Sequence, residues 1–148
     1  MTDFKNALSE GFAAAKAAEI ARREIREVLK KLETDLTEES NGRLLVQVME
    51  AQETLPYSSK LEAFRAAAEL RPPPTRTFRA LFAQNPKNPT APTKELARWK
   101  QAPDGYPCTI TWNDQEHECR DRNALEASLA ELLKDPATGE ALSLLMRM

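Results

Sequence analysis

The opening of this chain constrains its fold more than any other part. Residues 3–37 contain no proline and one glycine, Gly11, and their apolar and small residues recur at steps of three and four. Phe4, Ala7, Gly11, Ala14, Ala18, Ala21, Ile25, Val28 and Leu32 fall on one seam, the spacing of one face of an α-helix. Leu8, Phe12 and Ala15 widen that seam at its N-terminal end, and Leu29 and Leu36 at the other. The opposite face alternates Glu19, Arg23, Glu27 and Lys31 at four-residue steps, each pair adding about 0.2–0.5 kcal/mol to the helix.

A helix of ~35 residues is about 50 Å long at 1.5 Å per residue. A chain of 148 residues forms one domain, and such a rod outruns a body of that size. Part of it must project or pair with a second chain, and small seam residues let another backbone come close. Ala14, Ala18, Ala21, Ile25, Val28 and Leu32 are therefore the expected partner-binding seam, with a coiled-coil homodimer as the expected assembly. Packing of the same seam against later helices of its own chain is the competing account.

Composition points the same way. The chain holds 22 Ala and 18 Leu but only six Ile and Val together. Leu and Ala favour helices, and strands prefer the β-branched residues that are scarce here. A β-sandwich or barrel is excluded on this ground. No stretch approaches the ~20 consecutive apolar residues of a bilayer-spanning helix, so no membrane role is expected. Met1-Thr2-Asp3-Phe4-Lys5 lacks the basic flank and apolar run of a secretory signal, and two cysteines cannot make a disulfide framework. A cytoplasmic protein is expected.

The fold class expected is α+β and helix-rich, in a single domain over 1–148. Residues 1–40 form the long amphipathic helix. Within 41–70, Asn41-Gly42 turns the chain into a short strand over 43–49, a helix being the alternative for that run. A helix then starts at Ser59, where Ser59 and Glu62 have capping-box spacing, with Leu61, Phe64 and Ala68 facing inward. Residues 71–105 read as a proline-rich basic strap with helical islands at Thr77–Ala83 and Thr93–Lys100. Residues 106–148 read as a hairpin followed by helices. Alternation places Cys108, Ile110 and Trp112 on one face, Asn113-Asp114 supplies the turn, and His117 and Cys119 return on the same parity. Asn123 and Glu126 repeat the capping signature, and Thr138 or Gly139 opens a last helix.

Charge is unevenly spread. Residues 71–100 carry +6 against −8 for the remainder, and such asymmetry can mark a site for an anionic partner. Arg71, Arg76, Arg79, Lys87, Arg98 and Lys100, interleaved with Phe78, Phe82 and Trp99, are the candidates for nucleic-acid binding. The mildly acidic chain as a whole favours a plainer account, in which the aromatics are buried anchors and the cations surround them.

Catalytic chemistry finds little footing. Four glycines make no phosphate loop. His117 is the only histidine and lacks a recognisable orienting partner. Cys108, His117 and Cys119 could supply three metal ligands on one sheet face, but His117-x-Cys119 is not a zinc spacing, so this is a remote alternative. No cofactor, no metal and no catalytic residue is expected. The function expected is a non-catalytic protein-interaction or assembly module of adaptor, accessory or inhibitor type, self-associating through its first helix.

Overall fold

A computed structural model describes all 148 residues. Helix α1 runs unbroken over Phe4–Glu39. Asp3 caps it by accepting the Asn6 N–H at 3.1 Å. It ends where Asn41 and Gly42 enter the left-handed region at φ 56° and 79°, the conformation glycine adopts without steric cost. The fully buried Ser40 accepts the Leu44 N–H at 2.9 Å, and Thr37 donates to the Leu44 carbonyl at 3.2 Å. These bonds turn the chain sharply into the first strand.

That strand, β1, spans Leu45–Thr54 and outlasts the 43–49 expected. Helix α2 follows at Lys60–Ala68, capped by Ser59 as its spacing predicts. Leu61, Phe64 and Ala68 correct the expectation for this helix: all three are exposed, and Ala66 is its buried residue. α2 sits at the tip of a hairpin rather than across the core, so its apolar stripe meets no sheet.

The proline-rich strap is not present as such. Its two expected helical islands are strands β2, Thr75–Gln84, and β3, Lys94–Ala102, the second and third strands of the sheet. The prolines fall at the junctions, Pro72–Pro74 before β2 and Pro86, Pro89 and Pro92 between β2 and β3, where no ladder N–H is needed. A register shift explains why β3 looks helical. Leu81 pairs with Ala97 but Phe82 pairs with Glu95, leaving Leu96 extra. One extra residue breaks the two-residue alternation and sets Leu96 three positions from Trp99, a helix-like step.

Strands β4, Gly105–Trp112, and β5, Gln115–Cys119, form the predicted hairpin, with Asn113 and Asp114 both at positive φ, as a tight two-residue turn requires. Helix α3 covers Arg122–Lys134 and α4 covers Pro136–Met146. Asp121, not Asn123, caps α3 by accepting the Ala124 N–H at 2.8 Å. Asp135 caps α4 with Pro136 in its first turn, two residues before the expected start.

The five strands form one antiparallel meander in the order β1-β2-β3-β4-β5. α1 lies against β1 and β4 on one face, and α3 lies against β4 and β5 and against α1. The core fills the space between, built on Ile25, Val28, Val46, Leu81, Trp99, Ile110, Leu125, Leu132 and Leu145. The other face carries Arg76, Phe78, Arg98, Lys100, Thr109 and Thr111, and an antiparallel sheet tolerates water on one side. None of the helices is long and apolar enough to cross a membrane.

Candidate protein-interaction surface

Two lengths define the surface. The 36 residues of α1 make a rod of about 54 Å, while the longest strands, at ten residues, span about 33 Å. The rod's C-terminal half is held at two ends of the sheet's strands. At one, Thr37 bonds the start of β1. At the other, α1 crosses the β3–β4 turn: Arg22 donates to the Pro103 carbonyl at 2.9 Å, and Tyr106 donates to Glu24 at 3.2 Å. Burial by the helix pushes the Tyr106 phenol well above its usual value, and the Glu24 carboxylate adds to the shift. Everything N-terminal to Ala18 is exposed, an overhang of about 20 Å.

The expected seam is therefore divided. Ile25 and Val28 are 1% and 4% exposed inside the molecule's own core, and Leu32 lines a groove with Leu129 and Leu133 of α3. Ile25 and Val28 are thus covered by their own chain, while Leu32 stays half-buried beside α3. Ala21 is half-buried on the β3–β4 turn, and Ala18 is half-buried where the rod leaves the body. Ala14 alone of the six stands on the free length.

What the free length presents instead is a ridge at four-residue spacing. Phe4, Leu8 and Phe12 are 78%, 58% and 68% exposed, and Ile20 continues the row after Lys16. Residues four apart line up as one ridge on a helix surface, the element that packs into the groove of another helix. The widening of the seam by Leu8 and Phe12 was the sequence signal for it.

The six basic candidates do not form one patch. Arg76, Arg98 and Lys100 border a depression of about 730 Å³ on the sheet, but Glu53 and Glu116 border it too. Arg79 pairs with Glu50 and Trp99 on the opposite parity. Arg76 donates to Glu53 at 2.8 Å through Nε, and Arg98 donates to the other oxygen of Glu53 at 2.9 Å. Arg98 also lies over the Phe78 ring, 3.5 Å from its centre. These hydrogen bonds, that from Arg98 foremost, hold the Glu53 carboxyl below its usual range. Arg71 is engaged by Glu69 and Glu62 at 2.8 and 3.4 Å. Lys87 is remote, at the opposite end of the sheet beside Gly42.

Cys108 and Cys119 are directly opposed on β4 and β5 and fully buried. Burial, then the neighbouring Cys119, pushes the Cys108 thiol up to about 11. Burial also raises Cys119, which donates to the Ser128 hydroxyl at 3.3 Å. His117 pairs with Ile110 and stacks on Trp112 at 3.8 Å between ring centres. The three do not converge on a common point, and no group of three ligand-type side chains is placed to hold a metal.

Comparison with known proteins finds no matching family model, no matching curated protein and no matching solved structure.

Proposed function

We propose that this protein is a non-catalytic interaction or assembly module that works in the cytoplasm and self-associates through the projecting half of α1. The observation that carries the reading is the overhang, whose large side chains Phe4, Leu8 and Phe12 are more than half exposed on one ridge. An isolated helix of that length is marginal in water and gains most of its stability from packing an apolar face. Exposed apolar surface rimmed by polar residues is the usual mark of a protein-binding site. A second helix laid along the ridge would cover it.

The experiment is a mass measurement in solution by light scattering. The native protein is expected at twice the chain mass, and Phe12→Glu or Ala14→Glu at the chain mass. Neither position contributes to the core, so both variants should keep the native circular dichroism spectrum. A native protein of single-chain mass at all concentrations removes the proposal.

Nucleic-acid binding is the second reading, supported by Arg76, Arg98 and Lys100 on one face of the sheet around one depression. The carboxylates among them weigh against it. A mobility shift at about 50 mM salt that fades steeply as salt rises would favour it. No shift with either DNA or RNA would end it.

A further inference from the structure

The end of the sheet from which α1 projects also carries α2. β1 ends at Thr54 opposite Thr75 of β2, and Ala102 of β3 lies opposite Gly105 of β4, so α2 and the β3–β4 turn share one end. There α2 exposes Leu61 and Phe64, at 66% and 76%, and the residue just past it, Leu70, is 91% exposed. Leu70 sits at φ 55°. The Arg71 N–H donates to the Ala66 carbonyl at 2.9 Å and the Leu70 N–H to the Ala67 carbonyl at 3.3 Å. This is the helix-ending motif whose left-handed position ordinarily holds glycine. A leucine there is strained, and with its side chain in solvent nothing in the molecule repays the strain. Such strain collects at sites of function.

We infer that the α2 patch is the seat for the overhang of a second copy, with Phe4, Leu8 and Phe12 of each chain packing on Leu61, Phe64 and Leu70 of the other. The inference rests on the self-association proposed above and names the surface that receives the helix. Reach supports it. Midway between β1 and β2 is two strand spacings, about 10 Å, from midway between β3 and β4, close to one helix diameter. Across the strand order, a helix running antiparallel beside α1 on its β1 side is therefore level with α2. A two-fold axis through the overhang brings each rod back to the other molecule's sheet end, closing the assembly at two.

Area supports it too. The six are 58–91% exposed; scaling roughly 150–250 Å² for a large aromatic side chain, and less for leucine, by those exposures, they offer on the order of 800 Å² per copy, what a standard interface buries on each side. Charge does not oppose it. Asp3, Lys5, Glu10 and Lys16 cancel on the overhang, and Arg71 beside α2 is held by Glu62 and Glu69. Two near-neutral apolar faces of identical chains meet without repulsion, and neither selects a strongly charged partner.

The test is sedimentation over a dilution series with Phe12→Glu and Phe64→Glu, both exposed positions. Each is expected to raise the dimer dissociation constant at least tenfold. A covalent test accompanies it: Leu8→Cys and Phe64→Cys proteins are mixed and oxidised, Cys108 and Cys119 being fully buried. The disulfide-linked dimer is expected in the mixture and in neither protein alone. If Phe12→Glu dissociates the dimer while Phe64→Glu leaves it intact, the seat on α2 is overturned and self-association through α1 stands. If the native protein is monomeric, both are overturned.

Discussion

Gly105 leaves no room for a side chain against Ala21: a Cβ there would stand 2.7 Å from the Ala21 Cβ and 3.3 Å from the backbone of α1. Gly105 is also at φ 107°, which L side chains rarely adopt. The helix backbone thus rests directly on the β3–β4 turn, and this contact aims the overhang. Gly105→Ala is expected to cost about 2–4 kcal/mol, strain and clash together, and to lower the melting temperature measured by circular dichroism. An unchanged melting temperature would show that α1 shifts freely on the turn.

Leu70 gives a prediction of opposite sign. A left-handed backbone costs an L residue roughly 1–2 kcal/mol, and the Leu70 side chain recovers nothing within the molecule. Leu70→Gly should raise the stability of the single chain by about 1 kcal/mol, read as an increased denaturation midpoint at a concentration low enough to dissociate any dimer. The same substitution should weaken self-association. A gain in one measurement with a loss in the other separates a binding role from a structural one.

Glu53 sets a pH dependence. The hydrogen bonds from Arg98 and Arg76 lower its folded pKa below the ordinary 4.5. Its contribution to stability is therefore complete above that ordinary value and is lost as pH falls through the lowered folded value. Urea midpoints measured from pH 7 down to about pH 3 should fall less steeply for Glu53→Gln than for the native protein. Coincident slopes would mean that the two arginines do not favour the ionised carboxylate.

The thiols of Cys108 and Cys119 should be silent in the folded protein. Both are fully buried and held protonated by that burial, Cys108 up to about 11, and the thiolate is the reactive form. At pH 8 neither should react with a thiol-specific chromogenic reagent until denaturant is added, when two equivalents should appear at once. Fast labelling of one cysteine before unfolding would mean that the β5 edge opens.

The helices were legible because their signals are local. Capping side chains at Ser59 and the three-and-four spacing of α1 lie within a few residues of what they specify, and the hairpin turn at Asn113-Asp114 is equally compact. The central strands were hidden for a physical reason. β2 reads Thr75-Arg-Thr-Phe-Arg-Ala-Leu-Phe-Ala-Gln84, with alanines at its buried centre in place of the β-branched residues that announce strands. Ala83 is buried in the core under the helices, and Ala80 is buried on the other parity between Met49 and Arg98 of the adjacent strands, tertiary effects with no local trace. In β3 the extra residue at Leu96 breaks the alternation itself. The division of the seam was hidden likewise, since nothing in the spacing of Ala14, Ala18, Ile25 and Val28 marks where the sheet ends beneath them. Charge pairing misled in the basic segment, because Glu53, which engages Arg76 and Arg98, lies more than twenty residues before either.

A meander in which every strand pairs with its neighbour in sequence closes only local connections, of 20, 9, 2 and 2 residues here, each at modest entropic cost. The clasp of the first helix on the β3–β4 turn is different, since Arg22 and Pro103 are 81 residues apart. Contacts so distant in sequence are the slow ones to form. The order of assembly that follows is a hairpin stack first and the rod laid across it afterwards, so the tip proposed above to meet a second copy is also the last part of the architecture to be aimed.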